Sequence, residues 1–284
     1  MADAYASAAD TSLPATMEIA GGIVLLSRPE PGVAIITMNR PKARNALSLT
    51  MLAAMSEAVE TAGKDETIRA VVLAGTGPAF CAGHDLKEMA ARRGDDDGGK
   101  AFFTETMSAC SKLMMQIVQC DKPVIAAVHA TATAAGCQLV ATCDLAVAAD
   151  TAKFCTPGVN IGLFCSTPMV ALSRNVSRKR AMEMLLLGEM IAAEDAADYG
   201  LINRTVPADE VMAGALDMAR RIAAKSSVTV AIGKSAFYSQ IEKPLAGAYQ
   251  EAAEVMVHNM MERDAKEGIN AFLEKRDPKW DNVE

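Results

Sequence analysis

Aromatic side chains are scarce in this sequence of 284 residues, at 4%, with one Trp and four Tyr. Apolar residues nonetheless make up 51% of the chain and include 18 methionines. The core must therefore be built from Ala, Val, Leu, Ile and Met, and Met fits irregular gaps well. A chain of this length has room for one large domain, or for one domain with a smaller helical appendage.

An excess of positive charge and a long apolar run are also missing. The formal net charge of −7 leaves no basic face for a polyanion, so we expect no nucleic-acid partner. No uncharged apolar run is long enough to span a bilayer, and the N-terminus lacks the features of a secretory signal. We therefore expect no membrane partner.

The cysteines and histidines form no recognisable ligand pattern. The seven cysteines are an odd number, are spread out and include no Cys-x-x-Cys pair, and the three histidines are far apart. This argues against a disulfide framework and against a metal site. We expect reduced, mostly buried thiols and a cytoplasmic location.

Hydrophobic periodicity predicts a strand-and-helix core followed by helices. Short apolar segments bounded by turn residues predict strands at 23–27, 33–38, 69–74, 122–128 and 145–149, and the first two are predicted to form a hairpin around Pro29-Glu-Pro-Gly32. Amphipathic segments predict helices at 48–63, from about 100 to 120, from about 134, and at 168–174, 178–187, 193–199, 208–224, 228–238 and 245–275. This order indicates an α/β core with a C-terminal helical region, after a disordered N-terminus at 1–16.

Two glycine-containing segments follow predicted strands, at 80–87 and 129–144. The first has Gly83 in a turn, and the second opens a helix at Ala134-Ala-Gly136. Backbone N–H groups in such turns and at helix N-termini hold developing negative charge well. Read from the residues alone, two interpretations stay open: an oxyanion site, or glycines that end a strand and let a helix pack closely.

From about Ile23 to Trp280, the chain resembles the crotonase (enoyl-CoA hydratase/isomerase) superfamily. The matching segments are 39–47, 80–87, 122–144, 181–188, 193–202 and 268–276. The likeness is greatest to the branch of enoyl-CoA hydratase domain-containing proteins. The resemblance implies an α/β spiral of strand–strand–helix turns at 17–205. It also implies a helical trimerisation region at 206–284, giving a homotrimer or a hexamer (a dimer of trimers).

The resemblance implies that two backbone N–H groups, of His84 and Ala135, polarise the carbonyl of an acyl-CoA thioester. Ala135 lies where the family usually has the middle of a Gly-Gly-Gly run, and it keeps the N–H donor. The side chain of His84 has two possible roles, a general base or a polar wall of the nucleotide pocket. The wall is the favoured one, because the family uses this position for its N–H.

Coenzyme A is then expected as part of the substrate, with no covalently bound cofactor. By resemblance its adenosine and phosphate end is lined by residues of two loops, Lys42, Ala43, Arg44, Ala82, Asp85, Leu86 and Lys87. Lys275, on the last helix, is expected to reach the site of a neighbouring subunit. Taken singly, each lysine is better explained as a solvated surface residue. The prediction rests on the group.

Both glutamates of the hydratases are replaced. The first position holds Gln138, in Gly136-Cys-Gln-Leu139, and the second holds Gly158, in Thr156-Pro-Gly-Val159. An amide does not usefully accept the proton, and glycine has no side chain to offer one. General acid–base groups contribute about 10²–10⁴-fold each, so two-glutamate hydration is not expected.

Three functions stay open from the sequence. The first is an acyl-CoA enzyme, nominally an enoyl-CoA hydratase or isomerase of fatty-acid metabolism. The second is a non-catalytic protein that binds acyl-CoA. The third is another thioester reaction assisted by a bound anion, as the glycine at position 158 resembles that of bicarbonate-dependent dihydroxynaphthoyl-CoA synthases.

Overall fold

The computed structural model describes residues 16–280, which form two β-sheets and eleven α-helices. The strands are β1 (Thr16–Ile19), β2 (Val24–Glu30), β3 (Gly32–Met38), β4 (Ile68–Gly75), β5 (Ala79–Cys81), β6 (Val124–Val128), β7 (Thr131–Thr133), β8 (Leu145–Ala149), β9 (Lys153–Cys155), β10 (Ile191–Ala192) and β11 (Arg204–Val206). The helices are α1 (Leu49–Lys64), α2 (Leu86–Ala91), α3 (Lys100–Gln119), α4 (Ala135–Thr142), α5 (Pro168–Asn175), α6 (Arg178–Leu187), α7 (Ala193–Asp198), α8 (Val211–Ala223), α9 (Ser227–Gln240), α10 (Leu245–Met261) and α11 (Arg263–Glu274).

The larger sheet has seven strands in the order β1-β2-β3-β4-β6-β8-β11. Its first three strands are antiparallel, which confirms the predicted hairpin, and the strands from β3 onward are parallel. β6 is buried along its whole length, because layers of helices and strands cover both faces of the parallel part. The hairpin turn is shorter than predicted, since β2 continues through Pro29 to Glu30.

The smaller sheet has four strands in the order β10-β9-β7-β5, and β5, β7 and β9 are parallel. Successive turns of the chain place one strand in the larger sheet and the next in the smaller sheet before a helix follows. The units β4–β5–α2, β6–β7–α4 and β8–β9–α5 follow this pattern. The predicted α/β spiral of strand–strand–helix turns is therefore confirmed.

Aliphatic residues and methionines fill the core between the larger sheet and its helices. α1 and α3 pack on each other, and α8 packs on β3, β4, β6 and β8. Met38, Met51 and Met55 are completely buried. The core is thus built as the composition predicts, with few aromatic rings.

The C-terminal helices leave a large apolar surface. α8 covers the larger sheet, whereas α9, α10 and α11 pack mainly on one another. The segment predicted as one or two helices at 245–275 forms two, α10 and α11, because the extended Glu262 separates them. Leu245, Tyr249, Met261 and Phe272 are each more than 70% exposed. The predicted trimer would bury such a surface between subunits. The trimer itself stays a prediction.

The prediction of a disordered N-terminus falls on residues outside the described part of the chain, apart from Thr16, which begins β1. Residues 281–284 lie outside it as well. Within residues 16–280, none of the helices combines the length and apolar character needed to cross a bilayer.

Candidate active site

The loop before α1 lies directly against the segment that follows β5. The N–H of Ala82 donates to the carbonyl of Arg44 at 3.0 Å. Leu47 donates to the Gly83 carbonyl at 2.8 Å and accepts from the N–H of Asp85 at 3.2 Å. Since neighbouring residues of an extended segment point their N–H groups to opposite sides, the N–H of His84 points away from Leu47.

Asn45 holds this loop in place, a role that the sequence did not reveal. It is completely buried and has a left-handed backbone with φ of 53°. Its side-chain amide donates to the carbonyls of Thr76, Ala79 and Phe80 at 2.9 to 3.1 Å. The available signal was its residue type, because Asn tolerates the left-handed conformation better than most residues.

Arg40 is a second residue that the sequence did not single out. Its guanidinium group donates to the Ala46 carbonyl and the Ser48 hydroxyl, and it pairs with the Asp85 carboxylate at 3.2 Å. The Asp85 carboxylate also accepts from the N–H groups of Lys87 and Glu88 at the start of α2. The side chain of Asp85 is therefore engaged in joining the two loops.

The second amide lies on the other side of Gly83, at the start of α4. A Cβ atom built on Gly83 would lie 3.3 Å from the nitrogen of Ala135 and 2.9 Å from the Cβ of Ala134. Gly83 also has φ of 85°, which favours glycine. Within residues 16–280, the N–H groups of His84 and Ala135 have no hydrogen-bond partner. Two free amides thus flank Gly83.

Close packing against β5 fixes the start of α4. A Cβ atom on Gly136 would lie 2.2 Å from the carbonyl oxygen of Cys81, so only glycine fits there. Ala134 adopts φ of 51° and ψ of −118°, and its N–H donates to the Cys155 carbonyl at 2.9 Å. The packing interpretation is therefore correct for Gly136. This packing role is compatible with an oxyanion role for the N–H of Ala135, because the packing of Gly136 against Cys81 fixes the direction of that N–H.

Three polar side chains near these segments have buried atoms without hydrogen-bond partners. They are both ring nitrogens of His84, Oε1 of Gln138 and Oγ1 of Thr156. Burial lowers the pKa of His84 below its usual value, and the Leu47 backbone opposes this weakly without completing a hydrogen bond. His84 is therefore a neutral ring at pH 7. Buried polar groups usually have partners, so these atoms indicate a place for water or ligand.

The structure leaves no space for a side chain at Gly158, the position of the second hydratase glutamate. A Cβ atom on Gly158 would lie 2.8 Å from the Leu163 carbonyl oxygen and 2.9 Å from the Cys165 sulfur. The loop is held there because the N–H of Leu163 donates to the Gly158 carbonyl at 2.9 Å. No side chain of any kind fits at Gly158 unless this loop moves.

The loop residues predicted to bind coenzyme A are at least partly accessible to solvent. Lys42, Arg44, Leu86 and Lys87 are exposed, and Ala43 and Ala82 are half-buried. The side chains of Lys42, Arg44 and Lys87 have no ion-pair partner in the part of the chain that the structure describes. Lys275 is the C-terminal cap of α11, and its backbone is left-handed with φ of 56°.

All seven cysteines are free thiols, as expected, and six of them are buried. Burial raises the pKa of Cys81 to about 12 and the pKa values of Cys110 and Cys155 to about 11. The pKa of Cys165, beside Gly158, is also raised by burial. Since the thiolate is the nucleophile, none of these thiols is activated at neutral pH.

Comparison with known proteins identifies the family. A family model described as enoyl-CoA hydratase/isomerase matches residues 28–283. The enoyl-CoA hydratase domain-containing protein 3 of Homo sapiens is 45% identical over 254 residues, which cover 89% of this chain and 82% of that protein. Its crystal structure superposes with a TM-score of 0.85 at 44% identity, covering 90% of this chain and 99% of that one.

A bacterial structure shows the same similarity. The crystal structure of an enoyl-CoA hydratase from Mycobacterium smegmatis superposes with a TM-score of 0.86 at 51% identity, covering 91% of this chain and 98% of that chain. The human, mouse and rat relatives are named mitochondrial proteins, and this contradicts the expected cytoplasmic location. The similarity extends over most of the chain in sequence and in fold. The chain therefore belongs to the enoyl-CoA hydratase/isomerase family of the crotonase superfamily.

Proposed function

We propose that this protein is an enzyme that binds acyl-CoA thioesters and polarises the thioester carbonyl with the N–H groups of His84 and Ala135. The observation that carries the proposal is the pair of unpartnered amides on the two sides of Gly83. Preorganised donors need no rearrangement when charge develops on the oxygen, and removing one typically costs about 10²–10³ in kcat. The reaction is one that passes through an enolate-like state.

The charge distribution supports coenzyme A as the carrier of the acyl group. Lys42, Arg44 and Lys87 are exposed on adjacent loops and, within residues 16–280, have no carboxylate partner. They are free to bind phosphates, whereas Asp85 is engaged with Arg40. A homotrimer, or a hexamer of stacked trimers, would cover the apolar faces of α10 and α11 and bring Lys275 to a neighbouring site.

Hydration by two glutamates is not the proposed reaction. Gln138 has no ionisable group, and its Oε1 is buried without a partner. The contacts of Leu163 and Cys165 with the place of a Gly158 side chain argue that the loop has adapted to the missing glutamate. We therefore expect crotonyl-CoA hydration at least about 10⁴-fold below that of a two-glutamate hydratase assayed alongside.

The lack of space for a side chain at Gly158 also favours a second candidate function, a protein that binds acyl-CoA without transforming it. The two candidates share the oxyanion donors and the cations of the loops. They differ in whether any acyl-CoA is turned over. Activity against a panel of saturated, unsaturated and hydroxylated acyl-CoA esters, followed by mass spectrometry, separates them.

The oxyanion donors are tested by replacing Ala135 with its α-hydroxy analogue, which puts an ester in place of the amide and removes the N–H. Proline is unsuitable, because Ala134 has φ of 51° and ψ of −118°, a conformation that a following proline excludes. The infrared band of a 13C-labelled thioester carbonyl should move to lower frequency on binding to the original protein, and less so with the variant. Coenzyme A itself, which lacks the carbonyl, should bind both equally and report intact folding. An unshifted carbonyl band in the original protein would refute the proposal.

A further inference from the structure

A large cavity opens at the end of the larger sheet opposite to the candidate active site. Its volume is about 1460 Å³, and it is lined by residues 28–33, 66–69, 223–225 and 277–280. These are the turn between β2 and β3, the entry to β4, the end of α8 and the segment after α11. The parallel strands β3 and β4 start here, whereas the segments with His84 and Ala135 follow the other ends of the strands. We call this space the arginine cavity.

Arg69, the second residue of β4, has a buried positive charge. The residue is only 9% exposed, and its Nη1 is buried without a hydrogen-bond partner. A Cβ atom on Gly32 would lie 3.6 Å from Cδ of Arg69 and 3.2 Å from the Cβ of Ala223. The side chain therefore lies on the α8 face of the sheet. Within residues 16–280, no carboxylate pairs with it, although buried arginines are rarely left unpaired.

Arg28 lines the same cavity from β2. It forms an ion pair with Asp65, and its Nη1 donates to the Thr67 hydroxyl at 3.2 Å. Its Nε is buried and has no partner in the part of the chain that the structure describes. Burial lowers the pKa of Arg28.

Only one of the two guanidinium groups has a carboxylate partner within residues 16–280. The Asp65 carboxylate pairs with Arg28 and also accepts from the N–H and the hydroxyl of Thr67, and Glu30 is paired with Arg220 at 2.9 Å. Glu66 and Asp277 are exposed to solvent at the rim. The wall beside the two guanidinium groups includes Trp280, whose indole N–H donates to the Ala224 carbonyl at 3.0 Å. Asp65 thus compensates the charge of Arg28, whereas the charge of Arg69 has no carboxylate partner within residues 16–280.

We infer that Arg28 and Arg69 form a binding site for a small oxyanion, a carboxylate or a phosphate, separate from the acyl-CoA site. A planar guanidinium group matches either anion with parallel N–H donors, and charge-assisted bonds of this kind are the strong ones. An anion in the cavity that both residues line would be a partner for Nη1 of Arg69 and for Nε of Arg28, which residues 16–280 leave without one.

Calorimetric titration of the full chain with inorganic phosphate and with acetate, at constant ionic strength set by sodium chloride, tests the inference. Saturable binding of phosphate or acetate is expected, and the stronger of the two identifies the preferred anion. Arg69→Met keeps the apolar stem and removes the charge, and it should weaken binding about 10- to 100-fold. The matched control is Arg221→Met, which removes an exposed arginine of α8 and should bind as the original protein does.

Folding of the variants does not limit the test, because replacing a buried unpaired charge by an apolar group of similar size is often stabilising. Arg69→Met without added anion should therefore melt no lower than the original protein, and Arg69→Lys should bind with intermediate affinity. Acyl-CoA affinity should be unchanged in all of them. Equal binding by Arg69→Met and the original protein, or no saturable binding of either anion, would overturn the inference.

Discussion

The ammonium group of Lys234 lies 2.7 Å from the Asp144 carboxylate, and both side chains are largely buried. Lys234 also donates to the carbonyls of Ile117 and Lys122 at 3.0 and 3.1 Å. Asp144 accepts from the Tyr238 hydroxyl at 2.9 Å. This network attaches α9 to the ends of α3 and β6. Asp144 is thus the ion-pair partner of Lys234.

Asp144→Ala should therefore lower the free energy of unfolding by about 3–5 kcal/mol, because Lys234 would remain buried without its partner. Urea unfolding followed by circular dichroism measures the change. The control is Asp217→Ala, which removes an exposed ion pair with Arg221 and should change stability by about 0–1 kcal/mol. Equal effects of the two substitutions would contradict the assigned role of the network.

Five of the seven strands of the larger sheet and most helices were predictable from periodicity, whereas β1, β11 and the smaller sheet were not. β5, β7 and β9 have three residues each, too few to show an alternating pattern. Their pairing depends on residues far apart in the chain, such as Ala132 with Phe154. The order of the motifs indicated the spiral, and the packing between its turns became visible only in three dimensions.

Gly136 should tolerate no side chain, because its Cβ would meet the Cys81 carbonyl at 2.2 Å. Gly136→Ala should lower the free energy of unfolding by about 1–3 kcal/mol or move α4 away from β5. Either result displaces the N–H of Ala135, so the shift of the thioester carbonyl band should also be reduced. Thermal melting and infrared spectroscopy measure the two effects.

Gly233 supplies the control for a glycine-to-alanine change within a helix. No atom lies within 4 Å of its added Cβ, in the middle of α9. Gly233→Ala should raise the free energy of unfolding by about 0.5–1 kcal/mol and leave the carbonyl shift unchanged. A destabilised Gly233→Ala would show that the contact with Cys81 is not what makes Gly136 necessary.

Ala134 is held in a backbone conformation that favours glycine, with φ of 51° and ψ of −118°. Such strain costs about 1–3 kcal/mol, and glycine gives back about 0.5–1 kcal/mol through the flexibility of the unfolded chain. Ala134→Gly should therefore raise the free energy of unfolding by about 0–2 kcal/mol. In contrast, Ala141→Gly, within α4, should lose at least about 1 kcal/mol. Destabilisation of both variants would show that Ala134 is unstrained.

The backbone segments of the candidate site could be located from the sequence, and the conformation of the loops around them could not. Gly83 and Ala135 could be placed because each belongs to a local motif after a strand. Leu163 and Cys165 fold back from the same loop and fill the space beside Gly158. No pattern of residues in the sequence predicts this contact. Asn45 was missed for a similar reason, since its carbonyl partners lie more than 30 residues away in the chain.

The ring of His84 should remain neutral in the folded protein at pH 7, because burial lowers its pKa below 6.5. The unfolded chain binds a proton at this residue before the folded protein does. The contribution of His84 to stability is therefore complete above pH 6.5 and is lost as the pH falls from there towards the lower folded-state pKa. NMR titration of the His84 ring should give a midpoint below 6.5.

Urea unfolding between pH 5 and pH 8 provides the second measurement. The unfolding free energy of the original protein should fall more steeply below pH 6.5 than that of His84→Gln. His258→Gln, on an exposed part of α10, is the matched control and should keep the steep dependence. A midpoint above 6.5 would mean that the charged ring is stabilised. His84 would then be suited to donate a proton to the ligand, and its role as a neutral wall of the pocket would be wrong.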